Sequence, residues 1–383
     1  MKKYIEKSKN DKKALIAVNF ISFASFLRND IDILLANGYQ IFIIGHVIPG
    51  ESISFLTNKG IIVLDCAINS KNPFSLNNIK YFWSIKKILR KEHFLLIHCH
   101  TPIVGFLTRI ACKHNFGAKV IYTTHGLPFL EEEMNLKNRL FKLIEKIGSK
   151  LSDGIITINQ TDFKYLSTFC KCQCFYIPGV GVDIEKFRTT TANRFEICNQ
   201  FGIDSRKILI LSVGEISERK NHMLILKALS KMDNKKDYVY IICGRELGST
   251  SITNQLISFA KENQIDLRLL GHRSDVNIIM SIVDFGALPS IREGLGLSGI
   301  EQLSCGKPLI GTAVQGIKDY VINGINGYLF DAKSVDSVIF AIKKCTILSR
   351  KANAQLIKDS VNKFSLSSSK LSLEKIYRKF NII

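Results

Sequence analysis

The stretch Pro289-Ser-Ile-Arg-Glu-Gly-Leu-Gly-Leu-Ser-Gly-Ile-Glu-Gln-Leu-Ser-Cys-Gly306 sets two carboxylates, Glu293 and Glu301, eight positions apart. Between them lies a glycine-rich turn that opens a helix. Backbone N–H groups at such a helix start can hold a diphosphate. A carboxylate on each side can accept hydrogen bonds from sugar hydroxyls. A nucleotide-sugar carries all of these groups. Gly294, Gly296 and Gly299 also spell Gly-x-Gly-x-x-Gly, the dinucleotide fingerprint. Its context argues against that reading. The fingerprint's glycines leave a strand directly, whereas Pro289-Ser-Ile-Arg-Glu intervenes here. The next predicted strand, Pro308–Gly311, ends at Thr312 and not at an acid that would hold a ribose. Gly306-Lys307 runs into Pro308, so no Walker sequence is present.

Outward from this stretch, short apolar runs alternate with helical patterns. In the first half the runs are Ala14–Phe20, Gln40–Gly45, Ile61–Cys66, Phe94–His98, Lys119–Thr124, Gly154–Ile158 and Cys174–Ile177. The pattern restarts with Lys207–Gly214, Asp237–Gly244, Leu267–Gly271, Asp284–Pro289, Pro308–Gly311 and Gly327–Phe330. This is the βαβ signature of parallel sheets covered on both faces. It predicts an α/β chain of two doubly wound, Rossmann-like domains facing a cleft. The proline- and glycine-punctuated segment Pro178–Arg188 links them. The expected division is residues 1–185 and 186–366, with a last helix in 367–383 packing back on the first domain. Ligands of such sheets bind beyond the carboxyl ends of the strands. His98, His100, His125, Lys220, Arg245 and Glu293 all fall at or after such ends.

The chain of 383 residues is 46% hydrophobic and 22% charged, as a folded two-domain protein should be. No apolar run reaches the roughly 18 residues that cross a bilayer. Ala14–Leu27 after a Lys-rich start mimics a secretory signal. Asn19 and Ser22 interrupt it, so the stretch reads as a first buried strand and a loop. Ten cysteines without a paired framework point to reduced thiols. Cys170, Cys172 and Cys174 lack zinc spacing and read as small residues entering a strand. The net charge of +20 divides equally between residues 1–187 and the remainder, so it is global and favours anionic surfaces. Two stretches, 78–92 and 137–150, are basic and amphipathic. Each suits either an anionic membrane or an ordinary solvated helix with its apolar stripe in the core.

Glu293-x7-Glu301 followed by Cys-Gly-Lys-Pro-Leu-Ile resembles the signature of glycosyltransferase family 4, retaining enzymes of GT-B fold. The resemblance extends upstream to Ser212-Val-Gly-Glu-Ile-Ser-Glu-Arg-Lys-Asn-His. It also takes in His98-Cys-His100-Thr-Pro, Thr123-Thr-His125-Gly, Val314-Gln-Gly-Ile-Lys-Asp and Asn323-Gly-Ile-Asn-Gly-Tyr-Leu-Phe. The nearest flavour is that of bacterial enzymes building exopolysaccharide, capsule or O-antigen on a lipid carrier. The resemblance implies roles residue by residue. Glu293 bonds the donor sugar, and Glu301 bonds the ribose. Gly294, Gly296 and Leu297 cradle the diphosphate. Gly214, Arg219 and Arg245 border the donor, and Lys220 neutralises the leaving group. His125 contacts the sugar from the first domain, and His98, His100 and Asn19 are acceptor-side candidates. No metal and no cofactor are expected. Asp30-x-Asp32 falls in a predicted helix and reads as a chance match to a metal-binding pair.

Two departures stand out. The family's phosphate turn carries Gly-Arg, and here Gly214 precedes Glu215; whether Arg219 replaces the missing cation is open. The Gly-Gly loop after the first strand is also missing, with Asn19-Phe-Ile-Ser-Phe in its place. The expected protein is a cytoplasmic retaining glycosyltransferase at the inner membrane face. It moves a sugar from a nucleotide donor, a UDP-sugar by preference, to a lipid-linked (polyprenyl-diphosphate) glycan, with no nucleic-acid partner. Competing readings are a nucleotide-sugar epimerase of similar shape, an NAD-dependent oxidoreductase using residues 294–299, and a nonenzymatic anion-binding protein. The last would bind nucleic acid with steep salt dependence.

Overall fold

The computed structural model describes residues 12–50, 52–69, 72, 75–113, 117–128, 135–248 and 250–383. The Lys-rich start ahead of Lys12 lies outside them. The chain divides into two compact units, Met1–Gly181 with Ser367–Ile383, and Val182–Leu366. The division falls inside the expected link but after Gly181. Val182 N–H donates to Phe364 O, and Leu366 N–H donates to Val182 O. Those bonds tie Val182 to the end of the second unit before the helix Ile184–Arg188 begins.

The first unit holds β1 (Lys13–Phe20), β2 (Gln40–His46), β3 (Ile62–Asp65), β4 (Leu96–His100), β5 (Lys119–Thr124), β6 (Gly154–Thr157) and β7 (Gln173–Tyr176). Their order across the sheet is β3-β2-β1-β4-β5-β6-β7. The second holds β8 (Ile208–Val213), β9 (Tyr238–Cys243), β10 (Asp266–Gly271), β11 (Phe285–Leu288), β12 (Leu309–Thr312) and β13 (Gly327–Phe330), ordered β10-β9-β8-β11-β12-β13. Every pairing is parallel. Each predicted run forms a strand, because runs such as Ala14–Val18 and Tyr238–Cys243 are buried on both faces. The largest displacement of a strand end near the site is at β4, which runs on to His100 rather than stopping at His98.

Each sheet reverses its winding once, between β1 and β4 and between β8 and β11. Such switch points open a crevice at the carboxyl ends of the strands. In the first unit the crevice is bordered by Phe20 and His100. In the second it is bordered by Gly214 and the loop after Leu288. Each unit has its own core, with Leu15, Ile97, Tyr81 and Ile85 in the first and Ile210, Ile225, Phe285 and Ile342 in the second. Full burial of each such side chain is worth about 1.5–3 kcal/mol.

The final helix, Leu366–Lys379, belongs to the first unit. Ser369 Oγ donates to Gly179 O, and Tyr377 is fully buried beside Asp30. Phe380 meets Phe175 edge to face. All ten cysteines are free thiols. Cys170, Cys172 and Cys174 pack against the first core. Asp30 and Asp32 lie in the helix Arg28–Ala36; Asp32 pairs with Lys59 at 2.9 Å while Asp30 turns inward.

Candidate active site

The second unit gathers most of the sequence-predicted donor residues at one switch point. β11 ends at Leu288, and a loop carries Glu293 before Gly296 begins the helix Leu297–Ser304. Gly296 has φ +76°, a left-handed conformation that favours glycine. A Cβ there would lie 2.9 Å from Tyr320 Oη and 3.0 Å from Glu293 Cγ. Tyr320 Oη donates to Gly296 O at 3.0 Å and holds the turn from beneath. At Gly299 a Cβ would come within 2.4 Å of the same hydroxyl, so this glycine serves close packing. The N–H groups of Leu297 and Ser298 precede the first bonded one, Gly299, which donates to Gly296 O at 2.9 Å, and they carry the positive end of the helix dipole.

Facing that turn is the segment after β8. Gly214 adopts φ +145°, and a Cβ at Gly244 would lie only 1.7 Å from Gly214 O. Both positions therefore need glycine for the ends of β8 and β9 to meet. A short 3-10 turn, Glu218–Lys220, is capped by Ser217 Oγ. It delivers Lys220 beneath Gly214, where a Cβ would sit 3.3 Å from Lys220 Nζ. Lys220 is buried, and its Nζ lies 3.4 and 3.3 Å from the two carboxylate oxygens of Glu293. Arg219 donates to Glu293 Oε2 at 2.9 Å, to Glu215 Oε1 at 3.0 Å and to Arg292 O at 3.3 Å. Burial pushes the Glu215 carboxyl up, but bonds from Arg219 and Ser217 outweigh it and hold Glu215 below the usual carboxylate range.

Arg245 is exposed and makes no side-chain bond with these groups. It lines a cavity of about 370 Å³ with Val213, Gly214, Glu215, Gly244 and His272. The cavity opens at the ends of β8, β9 and β10.

Glu301 lies on the helix Leu297–Ser304, which packs on Ile184–Arg188. Burial raises its pKa to about 7, with Lys186 opposing the rise. A carboxyl whose folded pKa exceeds its unfolded value stabilises the fold fully only below the unfolded value. That stability is lost as pH climbs through about 7. Glu301→Gln is therefore expected to raise the unfolding temperature at pH 8 and to leave it nearly unchanged at pH 4. The gain at pH 8 is up to about 3 kcal/mol, less what solvent screens. Equal shifts at both pH values in thermal unfolding would refute this.

The first unit places its three candidate histidines in one chain of contacts. His98 is fully buried; its Nε2 lies 2.7 Å from Thr123 Oγ1 and its Nδ1 2.9 Å from Tyr377 Oη and 3.1 Å from Asp30 Oδ1. Side chains therefore satisfy both ring nitrogens of His98. His100 Nδ1 lies 3.1 Å from His125 Nε2, and Phe23 meets His125 edge to face at 4.8 Å. Burial drives both imidazoles toward the neutral form, His125 down to about 4. Asp30, His98 and His100 bring ligand-type atoms within 4.8 Å of one another. Both nitrogens of His98 are already bonded, so this group is a hydrogen-bonded core cluster. Asn19 accepts from Phe20 N–H and makes no contact with the histidines among the described residues.

Sequence reasoning missed Tyr320, Tyr377 and His222. His222 is buried, with Nδ1 2.9 Å from Tyr240 Oη and Nε2 3.3 Å from Glu215 O. Burial lowers its pKa to about 4, so it stays neutral under Glu215. Only its place in Lys-Asn-His signalled it; Tyr320 follows the 3-10 turn Gln315–Asp319 and Tyr377 lies in the last helix, and neither carried a signal.

Residues 193–362 match the family model "Glycosyl transferases group 1", and residues 21–159 match "Glycosyl transferase 4-like". The chain is 27% identical over 276 residues to the putative glycosyltransferase EpsD of Bacillus subtilis, covering 71% of this chain and 72% of that one. It is 26% identical over 290 residues to a UDP-Gal:alpha-D-GlcNAc-diphosphoundecaprenol alpha-1,3-galactosyltransferase of Escherichia coli, covering 72% of each. Among solved structures, Anabaena HepE in complex with UDP superposes with a TM-score of 0.76 at 16% identity, covering 96% of this chain and all of that one.

Proposed function

Since the chain belongs to the glycosyltransferases built from a 4-like first half and a group 1 second half, we propose that it is a retaining enzyme of surface-polysaccharide assembly. It takes its sugar from a UDP-sugar and passes it to a glycan on a polyprenyl-diphosphate carrier, without a metal. The observation that carries this reading is Glu293, held by Lys220 and Arg219 beside the Gly296 turn. A sugar carboxylate, a leaving-group cation and an N–H cradle stand together. Departure of UDP builds negative charge, and fixed cations aimed there lower the barrier. The UDP complex of HepE and the lipid-linked substrate in the Escherichia coli relative's name support the choice of donor and acceptor. Neither the epimerase nor the oxidoreductase reading gains an observation. The Gly294–Gly299 run follows Leu288 only after five residues and serves a packed turn.

A screen of nucleotide-sugars tests this directly. UDP-sugars should be hydrolysed slowly without acceptor, in the presence of a chelator. UDP at 100 times its dissociation constant should stabilise the protein by about 2.7 kcal/mol. Failure of both, with other nucleotides no better, would remove the reading.

Membrane association is the second part of the proposal, with the protein at the inner membrane face. No helix among the described residues is long and apolar enough to cross a bilayer. The helix Leu136–Ser149 instead exposes Leu136, Leu140, Leu143 and Ile147, while Asn138 and Glu145 face inward. Lys137, Arg139, Lys146 and Lys150 flank that apolar stripe. The helix Leu76–Lys91 exposes Leu76, Ile79 and Trp83 beside Lys80, Lys87 and Lys91. Apolar residues ringed by lysine fit an anionic lipid surface. Replacing Leu140 and Leu143 by glutamate should abolish co-sedimentation with phosphatidylglycerol vesicles, and unchanged sedimentation would sink this part alone.

A further inference from the structure

The family's phosphate turn carries a cation where this chain has Glu215, and the geometry there gives the acid another task. Arg219 is gripped at both ends of its guanidinium fork. One nitrogen donates to Glu215 Oε1 at 3.0 Å and the other to Glu293 Oε2 at 2.9 Å. Glu215 is the fixed end of this bridge. Ser217 Oγ donates to its Oε1 at 3.1 Å, and buried His222 braces its carbonyl at 3.3 Å. The next residue, Ile216, donates its N–H to Arg245 O at 3.0 Å. Glu293 stands on the loop between β11 and the helix Leu297–Ser304, with a carboxylate touched only by Arg219 and Lys220 among the described residues. Two acids and two cations make the cluster neutral before any ligand arrives. A planar guanidinium with one bond to each of two carboxylates ties the position of one acid to that of the other.

We propose that Glu215 is a positioning residue: through Arg219 it aims the carboxylate of Glu293, and Arg219 serves that bridge, not the diphosphate. Lys220 is then the cation left to meet the leaving group. The inference rests on the glycosyl-transfer reading and deepens it. An acid in the phosphate turn, which by charge alone opposes the donor, becomes part of the sugar site.

The test separates sugar positioning from diphosphate binding, because UDP lacks the sugar. Glu215→Gln keeps size and the Ser217 contact but loses charge. Arg219→Lys keeps charge but loses the fork. Each is expected to lower kcat for a UDP-sugar between about 10- and 100-fold, with the Kd of UDP by calorimetry within about twofold of wild type. The double variant should be no worse than the poorer single one, since both break the same bridge. Unfolding temperatures within a few degrees of wild type would exclude a purely structural effect. Unchanged kcat, additive losses, or a tenfold weaker UDP Kd with kcat intact would each overturn the proposal while leaving glycosyl transfer standing. A wild-type protein that neither binds UDP nor consumes any nucleotide-sugar would instead refute the underlying reading.

Discussion

Lys220→Met is expected to cut turnover of the nucleotide-sugar about 10²- to 10³-fold, the loss of roughly 3–4 kcal/mol of transition-state stabilisation. The structure gives this size a cause. Lys220 is buried beneath Gly214, with its ammonium between that turn and Glu293. A cation in a desolvated site acts on developing phosphate charge far more strongly than one in water. Methionine keeps the stem's packing and removes only the charge. Arg219 still holds Glu293, so the fold should survive. Lys220→Arg is expected to recover little, because a planar guanidinium does not reproduce a compact ammonium in this buried site. Steady-state kinetics with the best donor from the screen decides it. Turnover within about threefold of wild type would mean that Lys220 is not the leaving-group cation.

The largest effect on stability is expected at Glu145. Arg109 is fully buried; it donates to Glu145 Oε2 at 3.1 Å and to Gly105 O at 3.0 Å, and its guanidinium lies 4.1 Å from the Tyr122 ring centroid. Tyr122 Oη donates to the other oxygen of Glu145 at 3.3 Å. Packing is so close that a Cβ on Gly148 would lie 2.5 Å from the guanidinium. Glu145→Ala strands the cation without an anion and should cost about 3–5 kcal/mol. That corresponds to roughly 10 °C or more in the unfolding temperature of a unit this size. Replacing Arg109 and Glu145 together by leucine should cost less than Glu145→Ala, since no unpaired charge is then buried. Chemical denaturation of the three proteins checks this. A single-variant loss under about 1 kcal/mol would show that the pair is solvated in solution.

This ion pair also explains why the sequence leaves the facing of one helix open. Residues 137–150 alternate lysine with leucine, and helical periodicity alone allows the leucines to face the core. Instead Glu145 faces inward to meet Arg109, which is 36 positions away. Fixing that one side chain turns Leu140, Leu143 and Ile147 to solvent. A local pattern cannot report a partner on another helix. The histidines teach the same lesson. His98 and His100 were legible as residues at a strand end, but Asp30 and Tyr377, which occupy His98, lie 347 positions apart from each other.

The sequence by itself determined the two parallel sheets. Apolar runs spaced by helices leave few ways to bury both faces, and strand order then follows from right-handed crossovers. It also determined the Gly294–Glu301 turn, because glycine at a left-handed helix start is a local backbone requirement. What only the tertiary structure decided is where charged side chains point. Arg219 and Glu215 belong to one bridge with Glu293 because β8 and β11 are neighbours in the sheet. Charge pairing depends on distances of a few ångströms between segments far apart in the chain, and no periodicity along the chain encodes those distances.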